Sequence, residues 1–439
     1  SFEALPMSFQ LSHSGHSATT KSMEVIGNNI ANASTIGAKG ARAEFAAMYA
    51  AALNGTGAVG PGIGVQMSTI AQQFTQGNIS ASENTMDLAI NGRGFFMFQD
   101  PSGKEVYGRN GQLKIDRNDF VVNAQGMKLL AKPWNESVDR AEGEPTSVRL
   151  PTGGGDAIKT GEGVVPELRG IRMNLNFDAN AEIIPTATPP INFEDPATYN
   201  FSTSQTVYDG QGLALTLTYY FQKTDVNNWD VYASVNGKPL DKGSAAYDPL
   251  TDSPTPIISL EFGADGRLLD TSDTETTFTV NDPRDPQSEP DLFVDLPFKI
   301  GGATQFGAPF AISELKQDGY AFGKLTGITF DGAGIVKASY SNGRFINLYQ
   351  IQLADFPNVQ GLRPLGGNVW ESSFESGEKI VNAPGSSSAG VISAGALEES
   401  NIDLTSELVS MITAQRMYQA NAQTIKTIDQ AMQTLVNLR

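Results

Sequence analysis

The sequence predicts an α+β chain: N- and C-terminal helices paired as a coiled-coil stalk, with two mainly-β domains inserted between them. Three observations predict it. Residues 396–439 contain no glycine and no proline, although the chain of 439 residues carries 45 of one and 23 of the other. Residues 8–33 show a second, weaker helical register. The long middle is broken by glycine and proline into short strand-like runs.

The C-terminal stretch places apolar residues at three- and four-residue steps: Leu404, Leu408, Met411, then Tyr418, Ala422, Ile425, Ile428, Met432 and Leu435. A stripe this narrow needs a partner helix to cover it. At ~1.5 Å per residue, about 36 helical residues span roughly 54 Å. The sequence stops at Arg439, so the expected partner is the N-terminal segment or another copy of the chain. In that segment Phe9, His13, His16, Thr20, Met23, Gly27 and Ile30 fall at alternating four- and three-residue steps, and Asn28, Asn29 and Asn32 mark the expected helix end. Ser400, Asn401 and Asp403 are all available as N-caps for the second helix.

The expected organisation is 1–34 N-terminal helix, 35–83 linker, 84–169 and 304–371 two parts of an inner β domain, 170–303 an outer β domain, 372–397 linker and 398–439 C-terminal helix. Strand runs at 86–90, 94–98 and 105–107 open the inner domain, with Asp100-Pro101-Ser102-Gly103 as a turn. In the outer domain ALTLTYYFQ (214–222) and WDVYASV (229–235) alternate as a hairpin, with Asn236-Gly237 supplying the turn. Glycine-rich 54–64, mixed 150–165 and Gly/Ser/Ala-rich 382–395 read as flexible hinges between these blocks.

The composition restricts function. A formal net charge of −18 argues against nucleic-acid binding, which needs a basic face. No apolar run approaches membrane-spanning length, and no basic start followed by an apolar block suggests an ordinary signal peptide. The absence of cysteine removes disulfide and thiolate chemistry. The only histidines, His13 and His16, could share a helix face but have no acidic residue within a turn to complete a metal site. Gly92-Arg93-Gly94 is followed by strand residues and lacks the helix a dinucleotide loop requires. Asp331-Gly332-Ala333-Gly334 lacks the acidic spacing of a calcium loop. No catalytic, cofactor or metal residues are expected.

Residues 25–37, VIGNNIANASTIG, resemble the N-terminal motif of the bacterial flagellar rod and hook axial protein family. Residues 403–439 resemble its C-terminal motif, and their AQTIKTIDQ…TLVNLR ending is similar to the hook branch. DLAINGRGFFMF (87–98), YGRNGQLKID (107–116) and YSNGRFINLYQIQLADF (340–356) are similar to its inner β domain. The chain departs from the family at His13 and His16, which stand at usually apolar positions, at Ala38, usually aromatic, and in the six residues before Met7.

The resemblance implies a structural subunit and no enzyme. Copies would stack helically into a curved tube, with the terminal helices as its inner wall around the export channel. That tube would act as a universal joint passing motor torque to the filament. Implied partners are the chain itself, flagellar rod and hook–filament junction proteins, the hook cap during assembly and the type III export apparatus, with neither nucleic acid nor membrane insertion. The implied location is extracellular, in the hook, reached without a cleaved signal peptide. Expected assembly residues are Ile30, Leu404, Leu408, Met411, Tyr418, Ile425, Ile428, Met432 and Leu435. A distal-rod or junction protein is the nearest alternative; a secreted β-rich adhesin or enzyme would leave the C-terminal stripe uncovered.

Overall fold

The computed structural model describes residues 4–48, 64–151, 157–163, 165–184, 191–235, 238–240, 254–269, 274–280 and 293–437. Two helices flank a mostly β chain. Helix α1 spans Ala4–Asn32 and helix α2 spans Leu404–Asn437. α1 ends at its asparagines: Asn32 Nδ2 donates to the Asn28 carbonyl (2.9 Å), and Thr35 N–H donates to the Asn32 carbonyl (3.0 Å). α2 is capped by Asp403, whose Oδ1 accepts from Thr405 N–H at 2.9 Å and Ser406 N–H at 3.2 Å. The two helices run in opposite directions, since Gly15 meets Asn421 while Asn29 meets Glu407.

The C-terminal helix, expected over 398–439, starts at Leu404, and Ala396–Glu398 is a strand paired antiparallel with Ile79–Ala81. Local helix propensity loses there to a strand partner over 300 positions away. Residues 382–395 are no free linker: Ile380–Asn382 pairs with Leu353–Asp355, and Val391–Ala394 pairs with Leu88–Asn91. Within 35–83, Ala41–Met48 and Gly64–Gln72 form an antiparallel ribbon that lies against α1, bulged between Glu44 and Phe45.

The inner β domain is built on a sheet whose main path runs Leu325–Phe330, Ile335–Tyr340, Phe345–Ile351, Lys128–Asn135, Phe95–Gln99, Glu105–Gly108, Val369–Glu371 and Arg363–Gly366. Side chains alternate across a strand, and both faces of this sheet are covered. Phe96 and Phe98 pack with Leu88, Ile90 and Val106 on one face. Phe95 and Met97 pack with Tyr107, Phe356 and Trp370 on the other.

The outer domain holds two five-stranded sheets over one core. Ile171–Asp178 alternates buried and half-buried residues, and Phe177 stacks on fully buried Trp229 at 4.4 Å between ring centroids. Trp229 Nε1 donates to Gln305 Oε1 at 3.0 Å. Thr304–Phe306 and Ala311–Gln317 both pair with Ile171–Asp178, so the outer domain extends past the expected boundary at 303. Ala214–Asp225 and Asn228–Val235 form the expected hairpin, closed at Val226-Asn227; Asn236-Gly237 lies outside the described residues, as does most of glycine-rich 54–64. The two crossings between the β domains are paired, Ile158 with Tyr320, through hydrogen bonds of 3.0 and 2.7 Å.

Candidate assembly site

Helix α2 meets α1 along Glu407, Met411, Ala414, Tyr418, Asn421, Ile425 and Ile428, a run of four- and three-residue steps whose members are buried or half-buried. Several contacts fix the register. Gly27 would place a Cβ 3.8 Å from the Met411 methyl, and Gly15 would place one 3.2 Å from Asn421. The His16 ring lies against Tyr418 at 4.2 Å, and Asn421 Nδ2 donates to Thr19 Oγ1 at 3.4 Å. His16 is thus a packing residue. Among the described residues no group of three His, Asp or Glu side chains converges as metal ligands.

Of the expected assembly residues, Met411, Tyr418, Ile425, Ile428 and Ile30 are half-buried, the first four on this seam. Leu404, Leu408 and Met432 are exposed, and Leu435 lies in the helix with its side chain outside the described set. The expected single stripe is two faces. Reading apolar residues alone merged them, because Glu407, Ala414 and Asn421 carry seam positions that composition did not mark.

One residue joins three elements where the helices meet the ribbon. Asn29 is buried; its Nδ2 donates to the Ala41 carbonyl at 2.7 Å and to Glu407 Oε1 at 3.1 Å, while its Oδ1 accepts from Ala41 N–H at 2.9 Å. Asn401 ties the other side, accepting from Gly40 N–H at 2.8 Å and donating to the Gln73 carbonyl at 2.7 Å.

Behind this junction sits a buried charge cluster. Glu398 is fully buried; its Oε1 accepts from Lys39 Nζ at 2.6 Å and from Gly77 N–H at 3.0 Å, and its Oε2 accepts from Arg109 Nη1 at 3.1 Å. Lys39 also donates to the Thr75 carbonyl at 2.7 Å, and Arg109 to the Gly92 carbonyl at 2.9 Å. Arg109 lies over the Phe95 ring, 5.3 Å from its centroid. Burial pushes both cations below their usual ranges, and the Glu398 carboxylate pulls them back up. A Cβ at residue 77 would stand 2.0 Å from the Glu399 carbonyl oxygen, so only glycine brings this backbone to the carboxylate. Three segments distant in sequence, at Lys39, Gly77 and Arg109, therefore converge on the Glu398 carboxylate. Lys39 and Arg109 lie in or beside the quoted motifs, but nothing in their spacing pointed to Glu398.

The chain resembles known proteins along its whole length. Family models match in sequence order: "Flagella basal body rod protein" over residues 9–39, "Flagellar hook protein FlgE/F/G D1 domain" over 89–166, "Flagellar basal body protein FlaE D2 domain" over 174–320 and "Flagellar basal body rod FlgEFG protein C-terminal" over 393–438. The flagellar hook protein FlgE of Escherichia coli (strain K12) is 36% identical over 437 residues, covering 99% of this chain and 100% of that protein. That of Salmonella typhimurium (strain LT2) is 37% identical over 437 residues with the same coverage. The crystal structure of Helicobacter pylori flagellar hook protein FlgE2 shares the fold, with a TM-score of 0.51 at 13% identity over 73% of this chain and 100% of that one.

Proposed function

This chain belongs to the flagellar hook protein family, and from that premise we propose how its parts serve a hook. It is a structural subunit of the flagellar hook. In our reading α1 and α2 act as a coiled-coil stalk, and copies stack through their stalks into a curved helical tube. The stalks line the export channel and the β domains face outward. The tube serves as a universal joint that carries motor torque to the filament. Its neighbours are the rod below, the junction proteins above and the cap during growth, after export through the type III apparatus without a cleaved signal.

The observation that carries this reading is the unfinished surface of α2. α1 covers one side only, while Leu404 (47%), Leu408 (47%), Ile412 (52%) and Val409 (59%) stand exposed on others. Exposed apolar clusters mark interaction surfaces. The charge cluster supports the mechanical half: Glu398 ends the strand that leads toward α2, and Lys39 and Arg109 tie it to the segment after α1 and to the inner β domain. The expected assembly residues divide accordingly, Met411, Tyr418, Ile425 and Ile428 within a subunit and Leu404 and Leu408 between subunits. Electron microscopy of purified protein under polymerising conditions tests the reading. Curved tubes are expected; only amorphous aggregate or monomer would refute it.

A further inference from the structure

α1, α2 and the ribbon meet at Asn29, and nearer the start of α1 both still touch it, the ribbon at Ser14 and α2 at Gly15. Between them they leave an apolar groove of about 400 Å³. It is lined by the small residues Gly15, Ala18 and Ser22 of α1, by Phe45 of the ribbon and by Met417 and Ala420 of α2. Phe45 and Met417 are both exposed. Small residues on a helix let another element approach closely, and an apolar groove of this shape takes an apolar helix face.

The same chain carries such a face. Leu404, Leu408 and Ile412 stand four residues apart on α2 and form an exposed ridge. At roughly 100° and 1.5 Å per residue, Leu408 and Met417 lie about 180° apart around α2 and about 13.5 Å apart along it. Ridge and groove therefore occupy opposite sides of one rigid helix. The ridge cannot enter its own groove, but a neighbouring copy can offer its ridge while the first copy's ridge points away to the next.

We propose that the Leu404–Leu408–Ile412 ridge of one subunit seats in the Gly15–Ala18–Ser22 groove of the next. This rests on the hook-subunit reading and names the surfaces it requires. The contact is heterologous, since the two patches differ, and it carries an axial offset. A heterologous contact that does not close gives a helical polymer and not a closed dimer. The groove is also continuous with the α1–α2 seam: Asn421 lines it and packs against Gly15 and Thr19. Seating a ridge would then brace the stalk that presents the next ridge.

The chain has no cysteine, so introduced pairs report cleanly. Ala18→Cys with Leu408→Cys in one full-length chain, polymerised and then oxidised, should give a ladder of cross-linked multimers on a non-reducing gel. The same chain oxidised as monomer should give none. Thr19→Cys with Asn421→Cys, neighbours within a subunit, controls for oxidation. Tubes in which the control pair cross-links but no ladder forms overturn the ridge-and-groove contact and leave the hook-subunit reading intact. Wild-type protein that forms no tubes overturns that reading and this contact with it. If the Ala18/Leu408 variant does not assemble alone, it is mixed in equal amount with wild-type chains. Cross-linked dimers within those tubes support the contact; their absence overturns it.

Discussion

Lys39 Nζ lies 2.6 Å from Glu398 Oε1, with both side chains fully buried and 359 positions between them in the chain. This ion pair, shared with Arg109, joins the segment after α1 to the segment before α2. Removing one partner of a buried pair leaves an uncompensated charge. Glu398→Gln strands two cations and should cost about 3–5 kcal/mol in urea-induced unfolding. Combining it with Lys39→Met should cost clearly less than the sum of the two single changes. Additive costs would show that the pair is not coupled.

The seam on α2 makes a second prediction. Ile425 is half-buried on the seam, whereas Gln423 is exposed. Ile425→Glu puts a carboxylate against α1 and should block tube formation. Gln423→Glu keeps it in water and should not, because a solvated carboxylate costs little. Equal polymer yield from the two variants, read by sedimentation, would contradict the seam.

Buried phenols set an alkaline limit on the β domains. Tyr107 is pushed up to about 12 by burial and then by the Glu105 carboxylate. Tyr219 is raised by burial, and Tyr232 by burial and Asp230. A raised folded-state pKa means that the folded chain keeps a proton which the unfolded chain releases. The stabilisation is fully present below the ordinary tyrosine value near 10 and is lost as pH rises through the folded values. Absorbance at 295 nm should therefore show part of the 12 tyrosines ionising normally and the rest only with unfolding, which sets in above about pH 10. A single smooth titration with the β circular dichroism unchanged would count against these burials.

The outer domain should tune the tube rather than build it. It has its own core around Phe177 and Trp229, and its two crossings are tied together at Ile158 and Tyr320. Replacing residues 165–317 by a short linker should leave tubes of altered curvature or stiffness. Micrographs showing wild-type curvature, or no tubes from a soluble folded variant, would contradict this.

Much of this fold was legible from local pattern. The asparagine stop of α1, the Asp403 cap and the Ala214–Asp225 hairpin all follow from short-range chemistry. What was not legible depended on distant partners. Ala396–Glu398 has helix-forming residues yet pairs with Ile79–Ala81, and the glycine-rich stretch before it is held by Leu88–Asn91. Asn29 and Asn401 looked like helix punctuation and instead tie three elements and two segments. The stripe on α2 merged two faces because the seam uses Glu407 and Asn421, whose partners are polar groups on α1.

In the proposed hook subunit the terminal helices drive assembly while the β domains fold independently. Electron microscopy of a chain truncated to residues 1–400 under polymerising conditions, with wild-type protein alongside, tests it most directly. Curved tubes are expected from the wild type and none from the truncated chain, which stays soluble with its β circular dichroism intact. Tubes assembled by the truncated chain would contradict it.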